Sequence, residues 1–137
     1  GKVVLIRWWT APGCPFCEAS APALSELANR YRDRGLVVIG LYHHKSDTPL
    51  TVAHVNKQAR KLGLGFPIAI DPGWTTLRQW WLDRHHRGWT SVTFLLDRHG
   101  IIRHVHPGGA FFKGETGYDA LQKKIGALLA ESETVKP

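Results

Sequence analysis

The chain contains two cysteines, and they stand together in the sequence Cys14-Pro15-Phe16-Cys17. A disulfide between residues this close would close almost no loop and would add little stability, so the spacing favours chemistry over a structural role. Two thiols at this spacing can exchange disulfides: one thiolate attacks a partner's disulfide, and the second thiol resolves the mixed disulfide that forms. Half of a zinc site, or a pair of idle thiols, would be the alternative interpretations.

The segments on either side of this pair predict where it lies. Residues 2–9 form a continuous apolar run typical of a buried strand, and residues 15–34 carry apolar side chains at helical spacing, with Gly35 as a stop. Cys14 then falls near the N-cap of the helix, and Pro15 at its first position. The free N–H groups and the positive end of the helix favour a thiolate there. We therefore expect Cys14 to be the attacking sulfur and Cys17, one turn further on, to be the resolving sulfur.

The rest of the chain continues the alternation of strands and helices. Strand patterns occur at residues 36–42, 66–70, 92–96 and 101–105, and helical patterns at residues 51–62, 75–82 and 118–128. The first strand, the first helix and the second strand predict a parallel βαβ unit, whereas the last two strands predict an antiparallel hairpin. The sequence therefore predicts an α/β fold around a mixed sheet.

Length and composition narrow the remaining choices. The chain has 137 residues, 43% of them apolar, which fits a single domain over residues 1–137. The net charge is +7, but the basic residues are scattered and are not interleaved with aromatics, so no nucleic-acid partner is expected. No apolar run approaches the roughly 20 residues that span a bilayer. The absence of methionine suggests a fragment that lacks an N-terminal segment, which could hold a signal peptide or a membrane tether.

Several motifs resemble those of thioredoxin-like proteins, in particular the TlpA/ResA-type branch of bacterial extracytoplasmic thiol–disulfide oxidoreductases. The matching features are Trp9 before the C-x-x-C motif, Pro22 five residues after Cys17, the extra helix at residues 51–62, the Phe-Pro-Ile-Ala-Ile-Asp stretch at residues 66–71, and the Thr-Phe-Leu-Leu-Asp stretch at residues 93–97 followed by Gly100. The resemblance covers nearly the whole chain. It implies a thioredoxin fold in which helices flank a mixed central sheet and residues 51–62 form an inserted helix.

The same resemblance implies an activity and a setting. The activity is thiol–disulfide exchange with protein thiols and disulfides, together with an upstream electron donor or acceptor. No organic cofactor and no metal is implied, because the redox-active disulfide is itself the cofactor. An extracytoplasmic location, periplasmic or membrane-anchored, and a monomeric state are expected.

Departures from the family pattern lie close to the cysteines. Ser91, between Thr90 and Val92, stands where the family has a cis-proline that faces the disulfide. A buried acid near the cysteines is also missing: Ser20 stands where the ResA type has one, and Arg7 or Trp8 stands near the position that thioredoxin itself uses. The residues expected to dock a substrate or to shape the site are Trp9, Pro15, Phe16, Pro22, Trp89, Thr90, Ser91, Val92, Gly108 and Gly109.

Eight histidines are many for a chain of this length. Function in open α/β sheets gathers at the carboxyl edge of the parallel strands, where the topology also brings His43, His44, His85, His86, His104 and His106. Protonated imidazoles there would stabilise the Cys14 thiolate, and His43, His44, His104 and His106 are the candidates for this tuning. Imidazoles and thiolates could instead hold copper or zinc. The plain alternative is that these histidines are polar surface residues.

Other functions therefore remain alongside the oxidoreductase. One is a metal-handling module for copper or zinc on the same fold, using cysteine and histidine. A second is a thiol peroxidase-like redoxin, although Thr10 precedes Cys14 at an unusual spacing for that chemistry. A third is a binding-only domain, suggested by Ser91 in place of proline.

Overall fold

The computed structural model describes residues 1–83, 90–106 and 114–131. The strands are β1 (Val3–Trp9), β2 (Leu36–Tyr42), β3 (Ile68–Ile70), β4 (Thr93–Leu96) and β5 (Ile102–His106). The helices are α1 (Pro15–Tyr31), α2 (Val52–Leu62), α3 (Thr75–Leu77) and α4 (Thr116–Ala130). Short 3₁₀ turns follow α1 at Arg32–Arg34 and precede α3 at Pro72–Trp74, and a π-helical turn at Arg78–Leu82 extends α3.

The described strands form one sheet in the order β3-β2-β1-β4-β5. Strands β1, β2 and β3 run parallel, whereas β4 is antiparallel to β1 and β5 is antiparallel to β4. The predicted parallel unit, the predicted hairpin and the inserted helix α2 are all present. The mixed α/β sheet of the thioredoxin fold is thereby confirmed.

The central position of β1 explains why its residues are apolar apart from Arg7. Strands β2 and β4 flank it in the sheet, and both of its faces are covered, so its side chains are buried or half-buried. Val3 and Leu5 pack with α1 and α4 on one face. Trp8 packs on the opposite face, where its ring makes an edge contact with Phe94 at 5.5 Å. The chain leaving β1 is thus held firmly as it approaches the cysteines.

The observed boundaries differ from the predicted ones by a few residues. Helix α1 ends at Tyr31, and the next three residues tighten into a 3₁₀ turn before Gly35 at φ +102°. Strand β3 begins only at Ile68, because it borders the end of β2 alone. Strand β5 continues through His106. Within the three described stretches of chain, no helix is both long and apolar enough to cross a bilayer.

Candidate active site

Cys14 and Cys17 are joined by a disulfide at the beginning of α1. Cys14 has an extended backbone, with φ −111° and ψ 93°, and acts as the N-cap of the helix. Its Sγ accepts a hydrogen bond from the backbone N–H of Cys17 at 3.2 Å, and Pro15 opens the helix behind it. An N–H group that caps this sulfur also stabilises a thiolate after reduction. The local geometry is the one that the sequence predicts.

The two sulfurs face different surroundings. Cys14 lines an open groove of about 300 Å³, beside Phe16, Lys45 and Ser91. Cys17 lines a cavity of only about 10 Å³ inside the protein, together with Arg7 and Trp9. Relative exposure is 7% for Cys14 and 3% for Cys17. A partner that approaches through the groove therefore meets Cys14 first, and Cys17 lies behind it.

Ser91 stands directly against the disulfide. Its Oγ lies 3.6 Å from Sγ of Cys14 and 3.6 Å from Sγ of Cys17. The side chain is buried, with 4% of its surface exposed. Among the described residues the cis peptide bond is Ala11–Pro12, so the bond between Thr90 and Ser91 is trans. A hydroxyl group thus occupies the position in front of both sulfurs.

His43 supports this segment from the end of β2. Its Nε2 lies 2.8 Å from Oγ1 of Thr90, and its ring makes an edge contact with Trp74 at 5.5 Å. The side chain is fully buried. Burial lowers the pKa of His43 from 6.5 to about 3, with Lys45 adding to the effect and Asp71 opposing it. With this pKa the imidazole is neutral at physiological pH, which argues against tuning of the cysteines by a positive charge on His43.

The remaining candidate histidines lie on different strands, with His44 after β2 and His104 and His106 on β5 at the edge of the sheet. Nδ1 of His44 lies 2.8 Å from the hydroxyl of Tyr42, and its Nε2 lies 2.6 Å from the carbonyl oxygen of Thr48. His104 and His106 lie on β5, opposite Leu95 and Thr93 of β4. Burial lowers the pKa of His104, and the charge of Lys124 on α4 lowers it further.

No metal cluster emerges from these positions. Within residues 1–83, 90–106 and 114–131, no three side chains of the histidine, cysteine, aspartate and glutamate types come together as a set that could hold a metal ion. His85 and His86 lie outside the described residues.

Several residues predicted to dock a substrate are buried instead. Trp9 is 2% exposed and packs edge-on against Tyr42 at 5.0 Å, so it shapes the site from inside the protein. Val92 is fully buried, and its carbonyl oxygen accepts a hydrogen bond from Trp8 N–H at 3.0 Å. The side chains of Trp9 and Val92 are therefore not accessible to a partner in this structure.

Other predicted docking residues do reach the surface. Pro15 is exposed, and Phe16 is 50% exposed at the rim of the groove that contains Cys14. Thr90 also lines this groove. Pro22 is exposed on α1 and borders a second groove with Pro12 and Gln58. Trp89, Gly108 and Gly109 lie outside the described residues.

Two charged residues of the site are not identified by sequence reasoning. Lys45 lines the groove beside Cys14, and its ammonium group lies 5.9 Å from the ring centre of Trp74. Asp71 is 4% exposed and accepts hydrogen bonds from Trp8 Nε1 and from two backbone N–H groups at the start of α3. Lys45 comes directly after the two histidines that follow β2, and this position is the sequence signal that places it near the site.

Comparison with known proteins agrees with this geometry. Residues 1–105 match the AhpC/TSA family. The chain is 31% identical over 133 residues to Protein DipZ of Mycobacterium tuberculosis, which covers 97% of this chain but 17% of that protein. It is 31% identical over 109 residues to the thiol-disulfide oxidoreductase ResA of Halalkalibacterium halodurans, which covers 80% of this chain and 56% of ResA. The chain thus spans about a sixth to just over half the length of these relatives.

Solved structures agree as well. A thiol-disulfide isomerase from Corynebacterium glutamicum superposes with a TM-score of 0.73 at 26% identity, over 96% of this chain and 83% of that one. A putative thiol:disulfide interchange protein DsbE from Chlorobium tepidum has the same fold, with a TM-score of 0.73 at 23% identity over 95% of this chain and 82% of that one. These likenesses confirm the predicted resemblance to TlpA/ResA-type proteins, and the solved structures confirm the predicted thioredoxin fold. The chain belongs to the AhpC/TSA family.

Proposed function

We propose that the whole protein exchanges two electrons with the thiols or disulfides of partner proteins through Cys14 and Cys17. The observation that carries this proposal is the unequal setting of the two sulfurs: Cys14 borders an open groove, and Cys17 is enclosed behind it. A redox pair needs one sulfur that a partner can reach and one that waits close by to resolve the intermediate. The hydrogen bond from Cys17 N–H to Cys14 Sγ favours thiolate formation on the accessible sulfur.

In the direction that oxidises a partner, a partner thiolate attacks Sγ of Cys14. The Cys14–Cys17 bond breaks, its electron pair stays on Sγ of Cys17, and a mixed disulfide forms between Cys14 and the partner. A second thiolate of the partner then attacks the partner's own sulfur in this mixed disulfide, and Cys14 leaves as a thiolate. The partner gains a disulfide and the domain gains two electrons; reversing the steps reduces a partner disulfide.

The groove beside Cys14 suits a segment of polypeptide. Phe16 offers an apolar surface at its rim, Pro12 and Pro15 continue that surface, and Lys45 supplies a cation. Backbone and hydroxyl groups of Thr90 and Ser91 border the other side. We infer that the partner docks as an extended segment that places its sulfur over Cys14.

The remaining parts of the proposal rest on the family resemblance. The domain uses its own disulfide as its cofactor and works as a monomer outside the cytoplasm, periplasmic or tethered to a membrane. An upstream donor or acceptor restores the pair after each turnover.

A redox titration of the metal-stripped chain in thiol buffers, read by alkylation and mass spectrometry, tests the proposed activity. The expected result is a single two-electron transition between a dithiol and the Cys14–Cys17 disulfide. Its midpoint then gives the direction of transfer, reducing near the potential of thioredoxin and oxidising near that of DsbA. A chain that shows no reversible transition would contradict the proposal and favour the metal-handling or binding-only alternatives.

A further inference from the structure

Ser91 is placed to take part in the reaction as well as in docking, because its hydroxyl contacts both sulfurs of the disulfide. The Oγ atom lies 3.6 Å from Sγ of Cys14 and from Sγ of Cys17. A proline at this position would have no hydroxyl and no backbone N–H, and it could only shape the surface. The geometry therefore gives this chain a hydrogen-bond donor at the place where its relatives are expected to have none.

Three contacts hold the chain on the two sides of Ser91. The hydroxyl of Thr90 lies 2.8 Å from Nε2 of His43 on the preceding side. On the following side, the carbonyl oxygen of Val92 accepts a hydrogen bond from Trp8 N–H at 3.0 Å, and Thr93 pairs with Arg7 in the sheet. Because its neighbours are fixed on β1 and at the end of β2, the backbone of Ser91 is already ordered before the reaction. Holding its hydroxyl against the sulfurs therefore costs little further conformational entropy.

We propose that the Ser91 hydroxyl is a catalytic hydrogen-bond donor that stabilises the thiolate of Cys17 when the disulfide opens and the thiolate of Cys14 when the mixed disulfide is resolved. This inference rests on the proposed function. When a partner thiolate attacks Cys14, the electron pair of the broken bond collects on Cys17, whose cavity is lined by apolar residues apart from Arg7. A donor within reach of both sulfurs serves each thiolate in turn, and its own proton stays on oxygen throughout.

The energetic reason is that a hydrogen bond to the charged form of a group favours that form. The Ser91 hydroxyl bonds better to a thiolate than to a thiol or to a disulfide sulfur. It therefore lowers the pKa of the attacking thiol, and it shifts the redox equilibrium toward the reduced, thiolate-containing form. The other charged or titratable groups around the pair are Lys45 in the groove, Arg7 beside Cys17, Glu18 in the first turn of α1, and the neutral His43 behind Thr90.

The experiment compares the wild-type chain with Ser91→Ala, which removes only the hydroxyl. Two quantities are measured on each: the pKa of the Cys14 thiol, from the ultraviolet absorbance of the thiolate during a pH titration of the reduced chain, and the equilibrium constant against a glutathione buffer. Without the hydroxyl, the pKa of Cys14 is expected to rise by about one unit, a tenfold change in its dissociation constant. The equilibrium constant for reduction is expected to fall roughly tenfold, which corresponds to about 30 mV.

Two further variants separate this role from a structural one. Ser25→Ala removes an α1 hydroxyl that bonds to the carbonyl of Gly63 and to neither sulfur, and it should leave both quantities unchanged. Ser91→Thr keeps a hydroxyl and should restore most of the wild-type pKa. If Ser91→Ala leaves the pKa and the equilibrium constant at their wild-type values, the inference is wrong and Ser91 only shapes the groove. A wild-type chain that forms no reversible disulfide would instead overturn the proposed function itself.

Discussion

The hydroxyl of Thr90 lies 2.8 Å from Nε2 of His43, so the residue that precedes Ser91 is fastened to the carboxyl end of β2. The contact is made by a fully buried imidazole that burial keeps neutral. Two segments that are 47 residues apart in the sequence thereby form one support behind the disulfide. The value of His43 to the site is thus its position, not its charge.

The first prediction concerns acid stability and follows from the lowered pKa of His43. In the unfolded chain the imidazole takes up a proton near pH 6.5, whereas in the folded chain it does so only near pH 3. Below pH 6.5 the unfolded state therefore binds a proton that the folded state does not, and the free energy of unfolding falls as the pH falls. Between about pH 6.5 and pH 5 we expect His43 to account for a loss of roughly 2 kcal/mol.

Urea unfolding of the wild type and of His43→Gln at both pH values measures this loss. Glutamine does not titrate, so the variant should lose about 2 kcal/mol less than the wild type over the same interval. His99→Gln replaces an exposed histidine in the β4–β5 hairpin and should behave like the wild type. Equal losses in the wild type and in His43→Gln would mean that His43 is not held neutral.

The unequal exposure of the two sulfurs gives the second prediction. In Cys17→Ser, the Cys14 thiolate can still attack a disulfide such as oxidised glutathione and release one thiol, but no resolving thiol is present, so the mixed disulfide on Cys14 should accumulate. In Cys14→Ser, the remaining sulfur is enclosed beside Arg7 and Trp9 and should react much more slowly. Intact-mass spectrometry after incubation with oxidised glutathione distinguishes the two variants. Similar labelling of both would contradict the assigned order of the sulfurs.

The buried carboxylate of Asp71 gives the third prediction. It accepts hydrogen bonds from Trp8 Nε1 at 3.0 Å and from the backbone N–H groups of Thr76 and Leu77 at 3.0 and 2.8 Å. Asp71→Ala would leave three donors without this acceptor, and we expect the free energy of unfolding to fall by about 3 kcal/mol. Asp47→Ala, at an exposed loop position, is the matched control and should change it by less than about 0.5 kcal/mol. Chemical denaturation of both variants checks the difference, and equal stabilities would show that Asp71 anchors nothing.

The tight packing around Gly40 on β2, between side chains of the two neighbouring strands, gives the fourth prediction. A Cβ atom added at Gly40 on β2 would lie 2.9 Å from both Ile68 Cδ1 and Trp9 Nε1. Gly40→Ala should therefore destabilise the protein by about 1–3 kcal/mol through overpacking beneath the cysteines. At Gly126 on α4 a Cβ would meet nothing within 4 Å, so Gly126→Ala should stabilise it by up to about 1 kcal/mol. Thermal unfolding of the two variants should shift the Tm in opposite directions, down for Gly40→Ala and up for Gly126→Ala. Shifts of the same sign would contradict the prediction.

Local features of the sequence were sufficient for much of the fold and for the cysteine site. A mostly apolar strand, an N-capping cysteine and a proline at the first helical position are signals carried by adjacent residues, so β1 and the start of α1 can be placed closely. The same holds for the β4–β5 hairpin, whose connecting residues mark a tight turn. Topology alone then placed His43 and His44 at the carboxyl edge of β2, next to the segment that carries Ser91.

Burial and long-range partners could not be obtained in this way. His43 and His44 are neighbours in the sequence, yet one is fully buried against Thr90 and the other is partly exposed beside Tyr42. The difference depends on side chains that come from other elements, which no local pattern reports. Ser91 was recognised as a departure from the family, but its contact with both sulfurs depends on how β4 approaches β1.

Arg7, which with Trp8 stands near a position where relatives are expected to carry a buried acid, gives the last prediction. It is 1% exposed, donates a hydrogen bond from Nη1 to Oγ1 of Thr93 at 3.3 Å, and lines the same small cavity as Cys17. Burial lowers the pKa of Arg7 to about 9, which still leaves the guanidinium charged at neutral pH. A carboxylate in this place would oppose a thiolate on Cys17, whereas a guanidinium favours it.

Arg7→Met keeps a long apolar stem and removes the charge. The reduced form should then lose stability relative to the disulfide, and the midpoint potential should fall by about 30 mV, the equivalent of a tenfold change in the equilibrium constant. As a control, Arg32→Met removes an exposed guanidinium just after α1, where it donates a hydrogen bond to Asn29. Water and salt screen this charge from the sulfurs, so the midpoint potential should stay the same. An unchanged midpoint in Arg7→Met would show that the guanidinium serves only to hold Thr93, and a rise would reverse the sign of the electrostatic argument.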